Sequence, residues 1–181
     1  MTTWLKEFDW NDISYGDCCI ARDVLGKLRP PDFVISPDGM PYLYRWYVVK
    51  RSAVANVYFH IQVAHDPERP LHDHPWNNQS VILSGGYGET ICQTDKRPTA
   101  ETIKNFARKK GDVIWRKAEW SHRLFLPPGV PYTMTLFSTG PKIRGWGFWY
   151  EDKWTPYEDV TRVTDGQSVH IKPAEGRNDK Y

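Results

Sequence analysis

The sequence predicts an all-β domain, an antiparallel double-sheet β-barrel of the jelly-roll kind with a short helix packed outside it. Two observations lead there. Aromatic residues fill 14% of the 181 positions, with 9 Trp, 10 Tyr and 7 Phe. Such side chains suit pleated, half-buried surfaces and ligand-lining walls. Between residues 33 and 150 many short apolar runs alternate with Gly and Pro turns, without the helix-length segments that a βαβ chain would need.

Residues 1–32 read as an arm carrying the helix. Ile13, Ile20, Ala21, Val24 and Leu25 share one helical face after Asp12, and Gly26 ends the pattern ahead of Pro30 and Pro31. Trp4, Phe8 and Trp10 offer packing on the body or a contact in a homodimer. Strands are expected over 33–36, 42–50, 54–64, 79–83, 87–93, 103–107, 112–116, 122–126, 132–137 and 145–150. Turns at Pro37-Asp38-Gly39, Ser84-Gly85-Gly86, Gly111, Pro127-Pro128-Gly129 and Gly140-Pro141 separate them. In the third strand Val57, Phe59, Ile61 and Val63 share one face, and Tyr58, His60 and Gln62 share the other. Either stripe could face the interior of a barrel. The tail, 151–181, is charged; Trp154 and Tyr157 could pack on the body, and the chain after Asp165 is expected to be loosely ordered or held by a partner subunit.

Net charge is +2, and no clustered basic run marks a nucleic-acid-binding face. Cys18 and Cys19 are adjacent and Cys92 is remote, which fits a reduced, cytoplasmic compartment better than a disulfide framework. No apolar run approaches the roughly 18 residues of a membrane span, and residues 1–10 lack the apolar stretch of a secretion signal.

The chemistry concentrates in Leu71-His72-Asp73-His74-Pro75-Trp76. On a strand His72 and His74 project to one face and can converge on one ion, with Asp73 pointing away. Gln79 follows five residues after His74, and His122 lies eleven residues after Gly111. This spacing resembles the two motifs of the cupin superfamily, and the strings HDHPW, ILSGGYGE and RGWGFW resemble small cupins of bacteria and phages. The resemblance covers residues 55–137 and implies a jelly-roll barrel with a metal held by His72, His74, His122 and the residue at Gln79. The chain departs from the pattern at Gln79, where the family has a carboxylate, and at Lys117 and Glu119, which replace a proline and a glycine.

Three neutral imidazoles suit Fe(II), Zn(II), Ni(II) or Cu(II), with Mn(II) a further option; Fe(II) is the expected ion. The alternative is that these histidines are hydrogen-bonded cavity groups. Glu89, with Tyr87 on the same strand face, is the candidate general base; a salt-bridged carboxylate is the competing reading. Substrate contacts are expected from His60, Gln62, Trp76, Trp146 and Arg116, the last as a fork for a carboxylate or phosphate unless it is ion-paired. The residues therefore point to a mononuclear three-histidine oxygenase of a small chelating substrate. A non-redox metal isomerase or hydrolase, or a protein that binds a nucleotide or sugar, are the other readings.

Overall fold

The computed structural model describes residues 13–36, 41–64, 70–150, 152–164 and 167–170. Trp4, Phe8, Trp10 and the turn at 37–39 lie outside them. Helix α1 spans Tyr15–Leu25 and starts two residues later than the sequence pattern places it, because Ser14 rather than Asp12 is the cap: its Oγ accepts the Asp17 N–H. Gly26 closes it in the left-handed conformation (φ 71°), as its position after Leu25 predicts.

Fourteen strands follow in the described residues: β1 Phe33–Ile35, β2 Leu43–Tyr47, β3 Asn56–Gln62, β4 Leu71–His72, β5 Asn78–Ser84, β6 Gly86–Cys92, β7 Ile103–Lys109, β8 Val113–Arg116, β9 Ser121–Phe125, β10 Thr133–Thr139, β11 Gly147–Tyr150, β12 Lys153–Pro156, β13 Thr161–Thr164 and β14 Gln167–His170. A single-turn helix, α2 (Tyr157–Val160), joins β12 to β13. They build two sheets. One runs β13-β14-β1-β2-β3-β10-β5-β8, and the other β12-β11-β4-β9-β6-β7. All pairings are antiparallel except that of β1 with β14. From β3 onward the chain passes back and forth between the sheets, apart from the β6–β7 hairpin, until β10 hands over to β11. This is the double-sheet, cupin-like architecture expected, in the form of a sandwich: the sheets keep free edges, so the expected barrel is not closed. No described helix is long and apolar enough to cross a membrane.

The β3 stripes are now assigned. Phe59 and Ile61 lie on the outer face of the eight-stranded sheet with Tyr44, Trp46 and Met134, where Ile13 and Ala21 cover them. Burial of this apolar layer is what attaches α1 to the sheet. The opposite stripe, with His60 and Gln62, therefore faces the space between the sheets. A second apolar cluster of Ile82, Tyr87 and Ile114, flanked by Leu124, ties the sheets together.

Gly85 and Gly147 are among the glycines required by space. Gly85 turns the chain from β5 to β6 at φ 70°, and a side chain there would press on the Tyr132 carbonyl. Gly147 begins β11 against the Thr155 carbonyl of β12, leaving no room for a Cβ. Gly147→Ala should cost about 1–3 kcal/mol, because relief requires moving backbone rather than a side-chain end. A urea melt checks this; an unchanged midpoint would show that the β11–β12 pair can separate freely.

The chain beyond residue 150 contributes more than the tail reading expects. β12 pairs with β11 and β14 with β1, so the sheets continue past the predicted end of the barrel. Trp154 and Tyr157 do pack on the body: Trp154 Nε1 donates to Asp73, and Tyr157 stacks on Trp146 at 4.7 Å between ring centroids.

Candidate metal centre and cavity

Alternation on short strands aims the histidines. His72 and His74 sit two residues apart and face the cavity, while Asp73 between them is 2% exposed and turned the other way. Its carboxylate accepts from the Gly147 N–H (2.7 Å), Arg144 Nη1 (2.6 Å) and Trp154 Nε1 (3.0 Å), which clamps the His-x-His segment to β11 and β12. His122 on β9 pairs in register with His72. One ring nitrogen from each of the three histidines lies within 4.8 Å of the others, and the His74 and His122 Nε2 atoms are 2.9 Å apart.

Glu89 determines which nitrogen His122 presents. The carboxylate has 0% exposure, and its Oε1 is 2.9 Å from His122 Nδ1. Only a protonated Nδ1 can donate to it, so the Nε2 lone pair faces the other two histidines. That is the tautomer a metal ligand needs, with the outer partner already in place. The donor set thus fits a divalent ion. Burial alone would raise the Glu89 carboxyl, but the His122 hydrogen bond and the charge of Arg116 outweigh it and hold the group well below the usual carboxylate range.

Three expectations on individual residues change. Gln79 is exposed on β5 and opposes Trp115 of β8, while its neighbour Ser80 lines the cavity; strand alternation therefore removes Gln79 from the ligand set. Arg116 does not reach the cavity as a substrate fork. It is 0% exposed, and Nε, Nη1 and Nη2 donate to Glu89 (2.6 Å), Ser80 (3.0 Å) and Tyr87 (3.2 Å) respectively. Glu89 does not have the geometry of a free base, since Arg108 occupies its other oxygen at 2.7 Å. These are the ion-paired alternatives, made physical by the space between two sheets: Arg116 on one reaches Glu89 on the other.

His60, Gln62, Tyr87, Trp76 and Trp146 all line one cavity of about 360 Å³ together with the three histidines. Trp76 stacks on His74 (5.2 Å, 19°), and Trp146 meets His72 edge-on at 6.4 Å. Tyr87 Oη accepts from Arg116 and is drawn into the wall. The sequence reading missed Arg45 and Phe137. Arg45 shares the phase of Leu43 and Tyr47 on β2, and a cation at that phase of an aromatic strand was the available clue.

His60 Nε2 accepts a hydrogen bond from Arg45 Nε at 2.9 Å. Burial, and then the Arg45 charge, push the imidazole well below its ordinary value. Below about pH 6.5 the unfolded chain takes up a proton at this residue that the folded chain refuses, so His60 makes stability fall as pH falls, by up to about 1.4 kcal/mol per pH unit. His60→Gln keeps an acceptor for Arg45 and should flatten the slope between pH 7 and 5. Denaturant melts across that range check it; parallel slopes for both proteins would show that His60 titrates normally.

No protein-family model matches the chain, and comparison with curated proteins finds no match. Solved structures do resemble it. A conserved protein of unknown function from Streptococcus pyogenes aligns at TM-score 0.42 and 17% identity, over 61% of this chain and 82% of that one. Hydroxypropylphosphonic acid epoxidase from S. wedmorenis aligns at TM-score 0.45 and 14% identity, over 72% and 76%. The DMSP lyase DddQ from Ruegeria pomeroyi aligns at TM-score 0.47 and 15% identity, over 64% and 56%. The fold and site define a cupin-like double-sheet sandwich with a three-histidine cluster in its cavity.

Proposed function

We propose that the protein is a mononuclear metal-dependent enzyme, an oxygenase of a small chelating organic substrate, with Fe(II) the expected ion and Zn(II), Ni(II) or Mn(II) the alternatives. The observation that carries this is the convergence of His72, His74 and His122 at the wall of an aromatic cavity, with Glu89 setting the His122 tautomer. These three residues would hold the ion. When bound there, it would supply Lewis acidity and, if iron, access to O2 chemistry.

The chain's own residues have separable tasks. Asp73 and Glu89 fix the positions of the histidines. Trp76 and Trp146 shield the cluster with rings. Phe137 and Phe148 line the same cavity and keep its walls apolar, a setting in which polar contacts strengthen as water is excluded. Among the described residues no carboxylate belongs to the histidine cluster, so an ion held by the three imidazoles alone would keep its positive charge and favour an anionic or chelating substrate.

The test is oxygen uptake by protein loaded separately with Fe(II) and Zn(II), offered a panel of small hydroxy and keto acids. Uptake that requires both Fe(II) and one of the acids supports an oxygenase. Turnover with Zn(II) or Mn(II) and no uptake would replace it with the isomerase or hydrolase reading. A chain that takes up no metal would leave the cavity as a binding site for a nucleotide or sugar.

A further inference from the structure

The cavity has a second polar end, formed from β2 and β3 rather than the histidine strands. Arg45 and Arg51 line it, and none of the described lining residues is Asp or Glu. Arg45 makes no ion pair with a described residue; it gives Nε to His60 and lays its guanidinium over the Tyr58 ring at 4.9 Å. Arg51 is exposed and sits over Tyr47 at 5.3 Å. The contrast with Arg116 is instructive: that buried guanidinium is matched by Glu89, whereas Arg45 is held by rings and a neutral imidazole. Arg45 is half-buried, and a cation partly withdrawn from water without a counter-charge costs free energy that a bound anion returns.

We propose that Arg45, presented by His60 and Tyr58, holds the carboxylate of a small organic acid whose apolar body lies along Phe137 toward the three histidines. The position of the carboxylate stands on Arg45 alone; the direction of the body rests on the metal reading above. Phe137 provides the path, since its ring is 5.2 Å from His60 and 5.9 Å from His74. His60 takes Nε of Arg45 and leaves the two terminal nitrogens, the planar edge that pairs with a carboxylate in two parallel hydrogen bonds. With Arg51 exposed and engaged over Tyr47, the Arg45 fork suits a single planar charge better than a phosphate dianion, which would call for more donors.

The experiment uses the full chain freed of metal by a chelator, with benzoate, benzamide and phenyl phosphate as probes. Benzoate should bind at least about tenfold more tightly than its neutral isostere benzamide, because hydrogen bonds to charged groups are the strong ones. Arg45→Gln should abolish that preference, and Arg45→Lys should keep part of it while losing the fork. In the wild-type protein, benzoate ring protons should show NMR contacts to Phe137, which lines the cavity, a readout that holds even if Arg45→Gln fails to fold. Equal binding of benzoate and benzamide, an undiminished preference in folded Arg45→Gln, or tighter binding of phenyl phosphate would each overturn the proposal. Because metal is absent throughout, a failure to load metal leaves this result standing. A chain that loads metal but ignores the probe's charge overturns this inference alone.

Discussion

Replacing Glu89 with Leu should destabilise the protein by about 3–5 kcal/mol, the cost of stranding a buried charge whose partner has been removed. The charge is Arg116, with 0% exposure and Glu89 as its acidic partner among the described residues; Arg108, half-buried, would lose that partner too. For a chain of this size that corresponds to a fall in melting temperature of roughly 6–20 °C. The same substitution removes the acceptor that orients His122, so metal affinity should drop a further 10–100-fold, roughly the loss that follows removal of an outer partner. A second variant separates the effects. Glu89→Leu combined with Arg116→Met should regain part of the stability, since an apolar replacement for a whole buried pair is often tolerated, yet regain none of the metal affinity. Thermal melts and metal titrations of both proteins read this out; a Glu89→Leu protein as stable as the parent would show that the pair is not desolvated as its burial indicates.

The histidine variants should have the larger functional effect and a smaller structural one. His74→Ala removes a proposed ligand whose ring touches Trp76 and Phe137 but belongs to neither apolar core cluster. Metal affinity should fall by more than about 100-fold, beyond what loss of an outer partner alone brings, while the melting temperature of the metal-free protein changes little. His122→Ala should show the same loss of metal with some loss of stability, because it also takes one hydrogen bond from Glu89. Gln79→Ala should change neither, given its exposure on β5. Calorimetric titration with Zn(II) alongside thermal melts tests the set.

Much of this architecture was legible because period-two patterning and turn residues are local. The alternation in β3 separated Phe59 and Ile61 from His60, although only the presence of α1 over the outer face decided which stripe looked inward. The His-x-His pair was legible for the same reason, and His122 through its distance from Gly111. Gln79 was not, because the intervening residues place it on the outward phase of β5, a matter of register that spacing cannot fix. Arg116 and Glu89 could not be paired from sequence, since they are 27 positions apart on opposite sheets. Arg45 escaped for a related reason: that no described acidic residue pairs with it becomes visible only when the described cavity lining is laid out. The tail looked detached because its charges outnumber its aliphatics, yet β12 and β14 extend the sheets through backbone pairing, which is indifferent to composition.

X-ray absorption on protein loaded with one equivalent of Zn(II) reads the three-histidine site itself. Three imidazole nitrogens should surround the ion at about 2.0–2.1 Å, reduced to two in His74→Ala and unchanged in Gln79→Ala. A first shell of oxygen or sulfur ligands, or one that His74→Ala leaves intact, would contradict that site.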